Sequence, residues 1–205
     1  MTDYKLTYFD VAGGRGEPIR IALHAAGIAF DDIRWTFPQF GEKRSGLRFQ
    51  AVPVLEMDGA TITQSNAISR FIGKQCGLYP SDDLQAMYCD EVMEAIEDLT
   101  HYVVQTFGLS GDELKAARES LMHGRMTTFL RGLDELLTRG GGKHFANQCL
   151  TVADLKVFVM LKNLRSGNLD HIPGEFVDQL TPNLAAFAEH MAQLPQVVAY
   201  YESLG

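Results

Sequence analysis

The stretch KLTYFDVAGGRGEPIR, residues 5–20, decides the fold. Residues 4–9, YKLTYF, alternate apolar and polar side chains, the pattern of a half-buried strand. A glycine-rich turn follows. Pro18 then falls in a first helical turn, and Gly27 closes the apolar-periodic run of EPIRIALHAAG. Strand, glycine turn and helix in that order often cradle a phosphate, but neither nucleotide fingerprint is met. No Lys-Ser or Lys-Thr follows the glycines, and Ile19 stands where GxGxxG needs its third glycine. Two readings of the turn remain. It is a permissive bend whose glycines take angles closed to other residues, or a backbone that lets something approach Tyr8.

Working outward, FDDIRWTF reads as a second strand. VPVLEMDGATIT reads as a hairpin with Asp58-Gly59 as its type I′ turn, and SNAISRFIGKQCG as a helix ending at Gly77. A helical crossover between the first two strands makes them parallel, and the hairpin adds antiparallel strands. LYPSDD is a turn-rich linker. Beyond it every periodic segment is helical. One stripe runs over 84–107, and a second long helix runs from Leu114 to Leu136, closed by RGGGK. TVADLKVFVMLKNL is apolar almost all round, which marks a central buried helix, and TPNLAAFAEHMAQLP and PQVVAYYESL follow. The expected architecture is a small α/β domain at 1–80 and an all-α domain at 84–205.

Composition narrows the function. The chain has 205 residues and a net charge of −8, so it repels nucleic acid and anionic membranes overall. No run approaches the ~20 apolar residues of a membrane span, and the first ten residues do not read as a signal peptide. Cys76, Cys89 and Cys149 are odd in number and form no CxxC pair, which fits reduced thiols in a cytoplasmic setting. The six histidines show no metal-ligand spacing.

Each local motif carries a functional and a structural reading. Tyr8, near the C-terminal end of its strand, stands where α/β folds gather ligands, yet a strand tyrosine also packs. Pro53 suits an edge strand with ordinary trans geometry. A cis Val52–Pro53 bond would instead turn Val52 outward to pair with an extended peptide. Ser65 reads as an N-cap, and the amides after it would make an anion site, with Gln64 beside it. Arg15, Arg20, Arg34, Lys43, Arg44 and Arg48 face Glu17, Asp31, Asp32 and Glu42 over residues 15–48. That local positive excess could steer a small anion or form a solvated surface. In LTVADL, Thr151 and Asp154 form a capping box and Leu150 and Leu155 a hydrophobic staple, which is structural.

Taken in order, KLTYF, GRGEPIR, VPVLEMDG, QSNAISRFIG and LTVADL resemble a cytosolic glutathione transferase over nearly the whole chain, with KLTYF and QSNAISRF most like the sigma class. The resemblance implies a thioredoxin-like N-terminal domain, a helical C-terminal domain contributing the electrophile site, a cis-proline at Pro53 and a homodimer. It implies glutathione as co-substrate with no other cofactor and no metal, and conjugation to small hydrophobic electrophiles, a detoxification reaction. Tyr8 matches the catalytic tyrosine, and Arg15 an arginine supporting it. Val52 matches the residue whose backbone pairs with the cysteinyl part of glutathione, and Gln64 and Ser65 the pair that grips its γ-glutamyl end. Asp98 matches an acid reaching that end from the partner subunit.

Phe40 and Arg44 stand where many sigma enzymes carry a tryptophan and a lysine at the glycyl end. The turn DVAGGRGE is one residue longer than usual for the family. Tyr102, Gln105 and Thr106 match the neighbourhood of the electrophile. Two alternatives accompany the resemblance. One is an isomerase like the sigma-class prostaglandin D synthases, whose divalent ion would correspond to Glu94, Glu97 and Asp98. The other is a non-catalytic protein like the lens crystallins.

Overall fold

A computed structural model describes residues 3–205. Its contacts divide the chain into two units. One comprises the residues up to Tyr79 together with Pro195–Gly205, the other Pro80–Leu194.

In the first unit β1 (Tyr4–Phe9) leads through α1 (Glu17–Ala25) to β2 (Phe30–Trp35). The crossover makes β1 and β2 parallel, with Tyr4 opposite Phe30 and Tyr8 opposite Arg34. β3 (Val54–Met57) pairs antiparallel with β1, and β4 (Ala60–Thr63) closes the sheet in the order β2-β1-β3-β4. Asp58 and Gly59 both adopt positive φ, 45° and 81°, as a type I′ turn requires. With β1 flanked on both sides, its alternation gives way to near-continuous burial: Tyr4, Leu6, Thr7 and Tyr8 are all buried.

Helix α3 (Ser65–Cys76) ends at Gly77 in the left-handed conformation, φ 69°. Its N-cap is Gln64, at φ 73°, rather than Ser65, which is its first helical residue, so the helix begins one residue earlier than the sequence suggested. Between β2 and β3 lies a helix that apolar periodicity did not reveal, α2 (Phe37–Lys43), followed by a 3-10 turn at Arg44–Gly46. Its signature is a capping box: Gln39 N–H donates to Thr36 Oγ1 at 3.3 Å and Thr36 N–H to Gln39 Oε1 at 2.9 Å.

The second unit is helical throughout its regular elements. α4 (Asp83–Val104) starts on Asp82, whose carboxylate accepts the Gln85 N–H. The single long helix expected next is two, α5 (Gly111–Leu121) and α6 (Thr127–Arg139), joined by a π-helical turn at Met122–Met126. Gly124 breaks the helical path with φ −108° and ψ −105°. α7 (Val152–Arg165) is the buried helix of this unit. Fully buried Asp154 accepts the Thr151 N–H and hydroxyl, each at 2.7 Å, and also the Phe145 N–H at 2.9 Å. The capping box therefore also anchors the preceding loop. Lys156, on the same helix and nearly buried, reaches Glu97 of α4 at 3.3 Å. α8 (Phe176–Leu180), α9 (Pro182–Ala192) and α10 (Pro195–Glu202) complete the chain; α10 packs on α1 in the first unit.

Candidate functional site

Pairing brings three expected site residues to one end of the sheet. The β1–β3 ladder ends at Thr7 opposite Val54, and the β3–β4 ladder at Val54 opposite Thr63. Tyr8, Pro53 and Gln64 each lie one residue beyond these last pairs. Pro53 has no N–H to continue either ladder, and the Val52–Pro53 bond is cis. Val52 and Val54 are buried with Tyr8, and Phe9, Trp35, Phe40 and Leu47 pack against them. Phe40 meets Phe9 edge-on at 5.0 Å, and the Arg44 guanidinium lies 5.5 Å from the Phe40 ring centre. Ser65 is nearly buried in the first turn of α3, while Gln64 is exposed. Asp98 belongs to the second unit, where α4 carries it exposed.

Tyr8 is 5% exposed. Its hydroxyl accepts the backbone N–H of Arg15 at 2.9 Å, so the turn folds back over the strand that precedes it. The glycines make that approach possible. A Cβ on Gly16 would sit 2.5 Å from Tyr8 Cγ and Cδ1, and one on Gly14 would sit 2.5 Å from Tyr8 Oη. Gly13 is needed for its angle, φ 84°. The turn is thus a permissive bend at Gly13, and at Gly14 and Gly16 the lack of a side chain makes room for the Tyr8 ring itself.

Two charged residues that the sequence reading counted among a possible solvated surface are instead buried beside this turn, Glu17 at 2% and Arg20 at 1% exposure. Arg20 lies 5.8 Å from the Tyr8 ring centre and donates through Nε to Asp32 Oδ1 at 2.9 Å. The other Asp32 oxygen takes Arg34 Nε at 2.8 Å. Glu17 Oε2 accepts the Gly13 N–H, and Glu17 Oε1 accepts the hydroxyl of Tyr201 on α10. Burial and the Glu17 bond push the Tyr201 phenol well above its usual range; burial, then the Glu17 charge, pushes Tyr200 up to about 12. Both phenols therefore stay protonated, and Tyr201 remains a donor to Glu17. Asp32 and the Glu17–Tyr201 pair were absent from the expected site. Glu17 and Arg20 lie inside GRGEPIR, but no spacing rule tells a buried charge from a solvated one.

In the helical unit a cavity of about 530 Å³ is lined by Tyr102, Gln105 and Thr106 together with Ser120, Gly124 and Arg125. Among the described residues no three His, Cys, Asp or Glu side chains are grouped to hold a metal ion. No helix among them is long and apolar enough to cross a membrane.

Residues 4–74 match the N-terminal domain of glutathione S-transferases, and residues 97–204 match the C-terminal domain. Glutathione S-transferase 3 of Caenorhabditis elegans is 30% identical over 208 residues, 96% of this chain and 99% of that protein. Among solved structures, prostaglandin synthase D of Nilaparvata lugens superposes with a TM-score of 0.86 at 27% identity, covering 99% of this chain and 98% of that one. The sigma-class enzyme of Fasciola hepatica does so with 0.85 at 27% identity, covering 100% and 97%. The arrangement of a thioredoxin-like mixed sheet followed by an all-α domain is the one these proteins share.

Proposed function

We propose, since this chain belongs to the glutathione S-transferase family, that it ionises the thiol of glutathione through the Tyr8 hydroxyl and transfers the thiolate to small hydrophobic electrophiles. The observation that carries the reading is the Arg15 N–H bond to Tyr8 Oη, at the sheet end where cis Val52–Pro53 also lies. By accepting that N–H, the hydroxyl keeps its own proton to donate, and hydrogen bonds in series strengthen one another.

The energetics are of the right size. A free thiol with a pKa near ~8.5 is only slightly ionised at neutral pH. Lowering that value by about two units requires roughly 2.7 kcal/mol. A hydrogen bond to a charged group supplies roughly 1.5–3 kcal/mol, so the Tyr8 bond to sulfur nearly suffices. Arg15 adds positive potential. In this reading the peptide groups of Val52 pair with the cysteinyl unit, and Gln64 and Ser65 bind the γ-glutamyl end. Phe40 and Arg44 flank the glycyl carboxylate. Asp98 of the partner subunit completes the site in a homodimer.

The likeness to the Fasciola hepatica enzyme supports a sigma-class placement, and the likeness to the Nilaparvata lugens prostaglandin synthase supports a second reading, glutathione-dependent isomerisation. The Lys156–Glu97 bond weighs against metal activation in that second reading, because it occupies one of the three acids concerned. The test is one activity screen with glutathione against aryl halides, unsaturated aldehydes, hydroperoxides and a prostaglandin endoperoxide, with and without magnesium. Conjugation of the halides or aldehydes is expected. Turnover of the endoperoxide alone selects the isomerase, and glutathione binding without turnover of any substrate overturns catalysis.

A further inference from the structure

We infer that Tyr201 is a positioning residue for thiol activation, acting through Glu17 on the turn that holds Tyr8. The inference rests on the reading of Tyr8 given above. It follows a chain of contacts through the first unit alone. Tyr201, on the last helix, donates its hydroxyl to Glu17 Oε1, 184 residues away in sequence. The other oxygen of the same carboxylate receives the Gly13 N–H. Three residues on from Gly13, Gly16 backs directly on the Tyr8 ring, and between them Arg15 N–H holds the Tyr8 hydroxyl.

Glu17 is 2% exposed, so its charge depends on protein donors for the hydration it has lost. Loss of the Tyr201 hydroxyl removes a donor that fixes one of its oxygens, and the carboxylate can then shift. That shift loosens the grip on Gly13. Gly13 and Gly14 are both left-handed and carry no side chain that could hold the turn in place of that bond. The loss therefore passes to the Arg15 N–H and to the ring of Tyr8. The elements assigned to grip the ends of glutathione, the residues before β3 and the start of α3, are not part of this chain of contacts. Positioning of the hydroxyl and binding of the peptide should separate.

The experiment compares Tyr8→Phe, Tyr201→Phe, Glu17→Gln and the Glu17→Gln/Tyr201→Phe pair with the unaltered protein, using Tyr200→Phe as control. Tyr200 meets Tyr201 edge-on at 5.1 Å and is buried, so its variant reports a lost buried hydroxyl on the same helix without the Glu17 bond. The ultraviolet absorbance of enzyme-bound glutathione thiolate, kcat, KM for glutathione and the melting temperature are read for each. Tyr201→Phe is expected to lower kcat about tenfold and to reduce the thiolate absorbance, with KM within about twofold, while Tyr200→Phe changes neither. The paired variant should lose no more than Glu17→Gln alone, because the two side chains act as one unit. Unchanged thiolate absorbance in Tyr201→Phe, or losses that add in the paired variant, overturns the inference while leaving the role of Tyr8 intact. Full thiolate absorbance in Tyr8→Phe overturns the reading of Tyr8 and the inference with it.

Discussion

The backbone N–H of Arg15 donates to the Tyr8 hydroxyl across 2.9 Å. Part of what position 15 supplies is thus independent of its side chain. Arg15→Ala retains this donor and should lower kcat less than Tyr8→Phe. The latter removes the hydroxyl altogether and is expected to cost about one to two orders of magnitude in kcat, with little change in glutathione affinity. Steady-state kinetics of the two variants decide it: equal losses would assign the whole effect to the arginine side chain.

Gly16 and Gly41 form a natural contrast. Adding a methyl group to Gly16 drives it into the base of the Tyr8 ring, next to the strand backbone, where the ring cannot swing away. Gly16→Ala should destabilise the fold by about 1–3 kcal/mol, the usual cost of overpacking, and displace the hydroxyl. Gly41 lies within α2 with open space around its would-be Cβ, so Gly41→Ala should stabilise by about 0.5–1 kcal/mol through helix propensity alone. Urea unfolding of both variants gives opposite signs if the packing of Tyr8 on the turn is correct.

Asp32 bridges two arginines, one of them almost fully buried. Asp32→Ala leaves the Arg20 guanidinium in the interior without its carboxylate. It should cost about 3 kcal/mol, at the low end for a broken buried pair because Asp32 itself is a quarter exposed. A midpoint in urea unchanged from the parent protein would show that Arg20 does not depend on this partner.

Much of this architecture could be read from local chemistry. Asp58-Gly59 names its turn, Pro18 and Gly27 bracket a helix, and the all-round apolar run at 152–165 announces a buried one. What escaped were features with weak or cancelling local signals. α2 has no buried residue to impose a period, and only its Thr36–Gln39 capping box betrays it. The stripe from Leu114 to Leu136 continues across Gly124, because a π turn shifts the helical path without interrupting the apolar pattern. Tyr8 was ambiguous by strand pattern alone, and only distant motifs distinguished it. The Glu17–Tyr201 bond joins residues that no periodicity relates. Burial of Arg20 depends on Asp32 arriving on a neighbouring strand, which the parallel crossover implies but spacing does not state.

Stability should fall at alkaline pH. Burial pushes the Cys89 thiol from its ordinary 9.0 up to about 12, and burial with the Glu17 charge pushes Tyr200 from 10.0 up to about 12. Both groups are neutral when protonated, and the folded state holds their protons more tightly than the unfolded chain does. Their contribution is therefore complete below about pH 9 and is lost as pH rises toward 12. Melting temperatures measured from pH 8 to 11 should decline most steeply above pH 9, and Cys89→Ala should flatten part of that decline. A thiol reagent at pH 8 should label exposed Cys149 in the native protein and reach Cys89 only after unfolding.

The grouping of Pro195–Gly205 with the sheet unit also bears on synthesis. A ribosome delivers β1, the glycine turn and α1 first, and Tyr201 more than a hundred residues after the sheet is complete. The nascent sheet can pair its strands as they emerge, but the Glu17 carboxylate must wait for the Tyr201 hydroxyl until residue 201 has cleared the exit tunnel. Closure of the turn around Tyr8 thereby waits on the synthesis of α10, so a product truncated before α10 would carry every residue assigned to grip glutathione and still lack the strut beneath the hydroxyl.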